Sequence, residues 1–183
     1  MTAVVGEGNC ISDAAGLLVY ECDGLTHGRT RPGLVVLPSS TEEVVEVVRL
    51  ARTAGLPIVP RGAGTGLSGG ARPLPGCVVL GLSRMNRVLA VDLENGTVRV
   101  QPGVINLDVS RAVAGGGFYY APDPSSQGVC TIGGNVSENS GGAHCLKYGF
   151  TVNHVLAARV VLDGGEVVDL GGPAADTPGY DLA

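Results

Sequence analysis

The sequence is poor in charged residues, and above all in lysine. Charged residues make up 16% of the 183 residues, and Lys147 is the single lysine. Soluble domains typically contain about 25% charged residues. The formal net charge is −5. Proteins that bind nucleic acid normally present a basic face to its phosphates, so this composition argues against a nucleic-acid-binding function.

The sequence also lacks the features of membrane and secreted proteins. No apolar run approaches the roughly 20 residues of a membrane span. The first residues, MTAVVGEGNCISDAAG, lack the basic start and apolar stretch of a signal peptide. The sequence therefore predicts a cytoplasmic protein without a membrane span.

The five cysteines form no CxxC pair and are odd in number. This pattern indicates reduced thiols rather than a disulfide framework. The candidates for a zinc site are Cys130, Cys145, His144 and His154. Their spacing matches no known ligand pattern, so we assign no metal site.

Glycine is abundant, at 30 of 183 residues, about twice its usual share. The densest segment, PRGAGTGLSGG at residues 60–70, contains no acidic residue. It follows two predicted strands, LVVLP at 34–38 and PIVP at 57–60, which flank a helix. Strands joined in this way are parallel. The glycine-rich segment therefore leaves the carboxyl end of a strand, where open α/β sheets bind ligands.

The helix between these strands has clear start and stop signals. Ser40 and Glu43 have the spacing of a capping box, and Gly55 with Pro57 ends the helix. Apolar residues at helical spacing predict a buried face: Val44, Val47, Val48 and Ala51.

The rest of the chain predicts hairpins and short helices. Asn95-Gly96 and Gly164-Gly165 each lie between two alternating runs, which is typical of a β-hairpin. The segment NLDVSRAVAGGG predicts a helix that Asn106 caps. Thr131 is the expected cap of a short helix in TIGGNVSENSGG, residues 131–142.

The glycines at 64, 66 and 69 spell G-x-G-x-x-G, but the context does not fit a Rossmann turn. A Rossmann loop opens directly into a helix, whereas Pro73 and Pro75 prevent a regular helix here. A Walker A loop is excluded because no Gly-Lys-Ser/Thr follows. What remains is a helix-free loop whose successive backbone N–H groups converge on an anion.

The side chains of this loop favour phosphate as the anion. Arg61 carries a planar cation, and Thr65 and Ser68 offer hydroxyl donors. The second glycine-rich segment, 131–142, is placed to close on the same elongated ligand. The alternatives are a tight structural turn for the first segment and sheet-edge turns that merely pack on each other.

Four segments in this order resemble a known family: PRGAGTGLSGG, APDPSS, TIGGNVSENSGG and HCLKYG. They resemble the FAD-binding domain of the vanillyl-alcohol-oxidase/p-cresol-methylhydroxylase (PCMH-type) superfamily. Within it, they are most similar to glycolate oxidase FAD-binding subunits and to D-lactate and D-2-hydroxyglutarate dehydrogenases. The resemblance covers residues 31–180. It implies an α+β fold with a small βαβ lobe, a larger mainly antiparallel lobe and FAD between them.

The resemblance also implies the cofactor contacts. Main-chain amides of the first loop hold the pyrophosphate, and the later segments run along the cofactor to its flavin end. The implied cofactor-binding residues are Arg61, Gly62, Ala63, Gly64, Thr65, Gly66, Ser68, Gly69, Pro122, Asp123, Thr131, Gly133, Gly134, Asn135, Ser137, Asn139 and Gly142. The first loop contains no histidine for a covalent tether, so FAD is expected to bind non-covalently. Because the FAD lobe is expected to be incomplete, the 183-residue chain alone is expected to hold FAD weakly or not at all.

The activity that the resemblance implies is oxidation of a small 2-hydroxy acid to a 2-oxo acid. Family members continue into a segment that completes the FAD lobe and then a substrate domain. Because the resemblance begins at residue 31, residues 1–30 are expected to be an extension packed on the domain. Residues 31–183 are expected to be an incomplete FAD-binding domain, inactive alone.

We assign no catalytic residue to this chain. His144 is expected to bond a carbonyl, and Asp123, between two prolines, to shape a turn. Expected partners are the 2-hydroxy acid, electron-transfer subunits, and a second copy through exposed apolar surface. The alternatives left open are a non-catalytic interaction domain and a nucleotide-binding regulator.

Overall fold

The computed structural model describes residues 1–172. A four-stranded sheet in the order β1-β2-β4-β3 forms its centre. These strands are β1 (Cys10–Ile11), β2 (Leu34–Val36), β3 (Ile58–Arg61) and β4 (Val78–Gly81). β2 and β3 each pair in parallel with β4, and β1 pairs antiparallel with β2. The two strands predicted to be parallel are so, with β4 between them.

Helix α3 (Thr41–Thr53) connects β2 to β3 and begins at Ser40. The Ser40 side chain accepts the Glu43 N–H, as in a capping box (3.3 Å). The Glu43 carboxylate accepts the N–H of Ser39 instead of Ser40 (2.7 Å). The predicted cap is therefore confirmed in its first half, and its reciprocal half is displaced by one residue.

Two apolar clusters lie on the two faces of this sheet, because successive strand side chains point to opposite sides. On one face, β2 and β4 pack against the buried residues of α3, which are the predicted Val44, Val47, Val48 and Ala51. On the other face, Val35, Val59 and Val79 pack with Leu17. The sheet is thus covered on both sides, which holds the carboxyl end of β3 in a fixed position.

The remaining elements are short. The helices are α1 (Thr2–Val5), α2 (Ala14–Leu18), α4 (Asn106–Val113), α5 (Ile132–Glu138) and α6 (Cys145–Tyr148). The strands are β5 (Val88–Asp92), β6 (Thr97–Val100), β7 (Ala157–Val161) and β8 (Val167–Gly171). Single 3-10 turns span Glu7–Asn9, Ala114–Gly116 and Thr151–His154.

Both predicted hairpins are confirmed, as β5–β6 and β7–β8. They are two separate antiparallel ribbons beside the central sheet. The turn of the β5–β6 hairpin consists of residues 93–96, because Asp92 pairs with Thr97. The positive φ that the turn requires belongs to Gly96 (62°).

The first 30 residues contribute to the central sheet although their sequence shows little periodicity. β1 supplies the fourth strand, and Val5 and Leu17 are buried in the two clusters. Elements of two to five residues are too short to show a period, which explains why they were not predicted. Within residues 1–172 no helix is long and apolar enough to cross a membrane. The Pro/Gly-rich tail at 173–183 lies outside the described residues.

We predict that Val47→Ala lowers the free energy of unfolding by about 2 kcal/mol, because Val47 is fully buried between α3 and the sheet. Leu50→Ala is the matched control, since Leu50 lies on the same helix and is 41% exposed. Urea denaturation followed by circular dichroism measures both. Equal losses in the two variants would contradict the assigned buried face.

Candidate cofactor-binding site

The glycine-rich loop, residues 62–70, leaves β3 and forms no helix, as predicted. Gly64 and Gly69 have positive φ angles, 71° and 83°. Side chains rarely adopt such angles, so glycine is required there for the backbone to turn. The sequence argument against a Rossmann turn is therefore confirmed.

The backbone N–H groups of the glycine-rich loop donate to no other group within residues 1–172. Among the backbone hydrogen bonds of residues 1–172 outside helices and strands, none has a donor from residues 62–70. Buried N–H groups in folded proteins are nearly always paired. A run of nine unpaired donors is tolerated here because the loop is exposed or half-buried throughout. The arrangement leaves these donors free for an anion.

The glycine-rich loop lies along helix α5. At its first residue, a Cβ on Gly62 would collide with the Thr131 hydroxyl at the start of the helix. Farther along, a Cβ on Gly70 would collide with the Glu138 carboxylate at the helix end, and Gly66 also faces Glu138. The two glycine-rich segments, far apart in sequence, therefore meet side by side as expected.

A cleft of about 230 Å³ opens where the two segments meet. It is lined by Gly62, Ala63, Ser83, Asn86, Gly103, Ile105, Asp108, Val129 and Thr131. Ser83 and Asn86 follow β4, so two strand ends contribute to it. The cleft lies at the carboxyl end of the parallel strands, where the topology predicts a ligand.

Arg61 is oriented away from this cleft. Its side chain is 9% exposed, and Nη1 donates to the carbonyls of Cys22 (2.8 Å) and Ala71 (3.3 Å). The guanidinium also lies 5.6 Å from the centre of the Tyr20 ring. The sequence suggested Arg61 as a phosphate ligand, and the structure shows its side chain supporting the loop from within.

The second glycine-rich segment uses its donors internally. Thr131 caps α5, as predicted, by accepting the Gly134 N–H (3.4 Å). The Gly133 N–H donates to the Pro102 carbonyl (2.8 Å), and a Cβ on Gly133 would lie 2.7 Å from Pro102 Cβ. Close packing on Pro102 therefore explains why residue 133 is a glycine. Its N–H group is already hydrogen-bonded, and Pro102 occupies the space beside its Cα, so neither is available to a ligand.

A buried amide network holds this segment in place. Asn106 Nδ2 donates to Asn135 Oδ1 (3.0 Å) and to the Pro122 carbonyl (3.2 Å). Asn135 Nδ2 donates to Ser140 Oγ (3.1 Å) and Cys130 Sγ (3.3 Å). Asn106 and Asn135 are 1% and 2% exposed. The Asn135 side chain is thus fully engaged inside the protein.

Asn106 is a residue whose role the sequence analysis missed. It was predicted to cap α4, but the cap position is Ile105 and no side chain caps this helix. Asn106 instead joins the PDPSS segment to α5. The only sequence signal was the placement of a polar residue at the start of an otherwise apolar helix face.

A second cavity, of about 280 Å³, lies beside α6. Its lining is Ser110, Tyr119, Tyr120, Ala121, Asp123, Gln127, His144 and Tyr148. The Tyr119 and Tyr148 rings stack edge to face, with centres 6.3 Å apart. The Lys147 ammonium lies 4.7 Å from the centre of the Tyr148 ring. We call this the tyrosine cavity.

Asp123 and His144 form an ion-pair contact at the mouth of the tyrosine cavity. His144 Nδ1 lies 2.5 Å from Asp123 Oδ2, and the His144 N–H donates to Asp123 Oδ1 (3.3 Å). A Cβ on Gly142 would collide with Asp123, so these segments touch closely. His144 was expected to bond a carbonyl; its ring pairs with a carboxylate instead. The hydrogen bond from His144 lowers the pKa of Asp123 below its ordinary 3.8.

Ser137 and Asn139, the other expected site residues of this segment, are also engaged locally. Ser137 Oγ donates to the Gly133 carbonyl (2.9 Å). Asn139 has a positive φ of 48° at the end of α5, and its Oδ1 accepts the Val152 N–H (3.0 Å). The side chains of the second segment therefore shape the site, while free donors belong to the first.

Comparison with known proteins decides the family. A family model described as an FAD binding domain matches residues 32–171. The chain belongs to this FAD binding domain family. The expected family resemblance and FAD as the cofactor of such a domain are thereby confirmed.

Two relatives are more closely similar to this FAD binding domain. It is 52% identical over 166 residues to glycolate oxidase subunit GlcD of Escherichia coli K12, covering 91% of this chain and 33% of GlcD. It is 43% identical over 157 residues to D-lactate dehydrogenase of Anaerostipes hadrus, covering 85% of this chain and 33% of that protein. The chain thus spans about a third of the length of these relatives.

The fold matches the solved structure of p-cresol methylhydroxylase with substrate bound. The TM-score is 0.75 at 20% identity, over 100% of this chain and 36% of that chain. At this identity the likeness concerns the fold alone. The predicted PCMH-type α+β fold of the FAD binding domain is confirmed.

We predict that Asp123→Asn removes an acid-sensitive part of the stability. Folding lowers the pKa of the Asp123 carboxylate. Such a carboxylate stabilises the folded protein at pH values above the pKa that it has in the unfolded chain. This contribution is lost as the pH falls through the pKa that it has in the folded protein. The difference in unfolding free energy between wild type and variant should therefore shrink below about pH 4. Urea denaturation at a series of pH values measures it.

His144→Ala is the companion variant, because it leaves the carboxylate and the backbone N–H donor but removes the ring donor. It should lose the larger share of the same acid-sensitive part, since the ring hydrogen bond is the first cause of the lowered pKa of Asp123. Parallel stability curves for wild type and Asp123→Asn across the acid range would show that the pair does not couple these segments.

Proposed function

We propose that this chain is the FAD-binding portion of a flavin-dependent oxidoreductase that oxidises a small 2-hydroxy acid to a 2-oxo acid. The observation that carries the proposal is the run of free N–H donors at residues 62–70, beside the cleft shared with Thr131. The relatives support it, since they are named glycolate oxidase subunit and D-lactate dehydrogenase.

The residues present fit a diphosphate. Gly62 and Ala63 are the residues of the loop that line the cleft, and their N–H groups are free of hydrogen bonds to the described residues. The hydroxyls of Thr65 and Ser68 add donors. Each is a neutral donor that can satisfy a phosphate oxygen without a strong cation.

The glycine-rich loop has two different ends. At Gly66 and Gly70 it faces the Glu138 carboxylate, which repels phosphate. At Gly62 it faces the Thr131 hydroxyl. Asp108 also lines the cleft at this end, but its carboxylate accepts a hydrogen bond from Arg111 Nη1 (2.7 Å). We therefore propose that the diphosphate lies toward Gly62 and Ala63, and that the rest of FAD extends from there along the cleft.

When bound, FAD supplies the acceptor for the hydride equivalent of the hydroxy acid. This chain binds and orients it. The hydrogen-bonded Asp123 and His144 side chains line the tyrosine cavity. Because the chain spans about a third of its relatives, we propose that groups binding the substrate carboxylate come from the remainder of the whole protein, with electron-transfer subunits as further partners.

One observation favours a second candidate, a nucleotide-binding regulator. Free N–H donors recognise the diphosphate and not the ring attached to it, so the loop suits ADP as well as FAD. Competition between the two ligands separates the candidates. Tighter binding of FAD than of ADP supports the flavoprotein, because the flavin half then adds to the affinity; binding of ADP without any binding of FAD supports the regulator.

We predict that the purified whole protein, of which this chain is the proposed FAD-binding portion, binds FAD with quenching of flavin fluorescence, and that Gly62→Ala weakens this binding by about tenfold or more. The added Cβ would collide with the Thr131 hydroxyl and separate the loop from α5, and displacements of about 1 Å at a site have large effects. Fluorescence titration gives both dissociation constants.

Gly115→Ala is the control, because Gly115 has open space around it. Its dissociation constant should match that of the wild type. An unchanged affinity in Gly62→Ala would contradict a diphosphate site at this end of the loop.

A further inference from the structure

The segment formed by residues 20–25 lies against the glycine-rich loop on the side of its carbonyl groups. A Cβ on Gly24 would lie 2.6 Å from the Thr65 carbonyl oxygen and 2.8 Å from that of Gly66. Contacts this short are possible only because residue 24 has no side chain. The two backbones therefore pack directly on each other in the middle of the loop.

Arg61 connects the same segment to both ends of the loop. Its Nη1 donates to the carbonyl of Cys22 and to that of Ala71, just beyond the loop. The guanidinium also fills the space beside Gly64, where a Cβ would lie 2.5 Å from Arg61 Cζ. A single planar side chain thus fixes the distance between residue 22 and residue 71.

Asp23 and Leu25 complete the contact. Asp23 is 6% exposed, and its Oδ1 accepts the Leu25 N–H (3.1 Å). This turn directs Leu25 toward the loop, where its Cδ2 lies 3.2 Å from the Cβ position of Gly69. Asp23 Oδ2 is buried without a hydrogen-bond partner among the described residues, so the carboxylate is retained at a cost to stability.

These contacts reach the loop through its carbonyls and Cα atoms and leave its N–H groups free. The segment also lies outside the residues that match the FAD binding domain family, which begin at residue 32. We propose that residues 20–25 are a positioning element of the cofactor site, which holds the glycine-rich loop in its diphosphate-binding shape, and that Arg61 is a positioning residue. This inference rests on the proposed binding of FAD.

The test compares Gly24→Ala with Gly8→Ala in the purified protein. Neither glycine has a positive φ, so alanine strains neither backbone; Gly8 has open space, whereas Gly24 touches the loop. We expect Gly24→Ala to raise the FAD dissociation constant about tenfold and Gly8→Ala to leave it unchanged. Amide NMR spectra of the ligand-free variants should show shifts of Gly64, Gly66 and Leu67 only in Gly24→Ala.

Asp23 provides a second pair of variants should Gly24→Ala not fold. Asp23→Ala removes the acceptor of the Leu25 N–H together with an unpartnered carboxylate, so the fold should persist while FAD binding weakens. Asp23→Asn retains the acceptor and should restore the affinity. A purely stabilising role would lower the unfolding free energy of Asp23→Ala without changing the affinity of the folded protein.

The outcomes separate this inference from the proposed function. Unchanged FAD affinity and unchanged loop amides in Gly24→Ala overturn the inference while the proposed function stands. If the wild-type whole protein binds no FAD, the proposed function fails, and the loop amide shifts alone decide whether residues 20–25 set the shape of the loop.

Discussion

The free N–H groups of residues 62–70 are the constraint on which the rest of the site depends. A backbone segment without its own hydrogen bonds has no intrinsic shape, so its neighbours must hold it through other atoms. Here Thr131 contacts Gly62, the Arg61 guanidinium fills the space at Gly64, and Glu138 faces Gly66. The glycines admit these contacts, and the donors remain available because none of the contacts uses them.

Rigidity comes from the second glycine-rich segment and its buried network. Two amide side chains, Asn106 and Asn135, are almost fully buried and hydrogen-bonded to each other. Removing one partner from such a pair leaves the other unsatisfied at a cost of about 1–3 kcal/mol. The network therefore has one favourable arrangement, and α5 provides a fixed wall for the more open loop beside it. The two segments look alike in sequence and have different roles.

The local features of this chain were predictable from its sequence. Alternation, helical spacing and the Thr131 cap depend on neighbours a few residues away. The same holds for the absence of a helix after the loop, which follows from Pro73 and Pro75. What could not be predicted depends on contacts between distant residues. Asn106 and Asn135 are 29 positions apart, and nothing within either segment indicates the other.

The partners of individual glycines and charged residues could not be predicted from the sequence either. Gly133 was assigned to the cofactor because glycine often marks a close approach, and the group that approaches is Pro102. Arg61 suggested a phosphate ligand by its charge, and its Nη1 is committed to two carbonyls. The type of a residue limits the interactions that it can make, but the fold determines which partner it contacts.

The composition and the site have a common explanation. Arg61 is engaged within the protein, and the single lysine, Lys147, lies over the Tyr148 ring beside the other cavity. In the proposed site, recognition of an anion at residues 62–70 therefore depends on neutral N–H donors and hydroxyls, whose arrangement matters more than their charge. Many small dipoles must then point at one place, and each added Cβ would displace one of them. A chain that binds its anion in this way needs few basic residues and many glycines, which is the balance that this sequence shows.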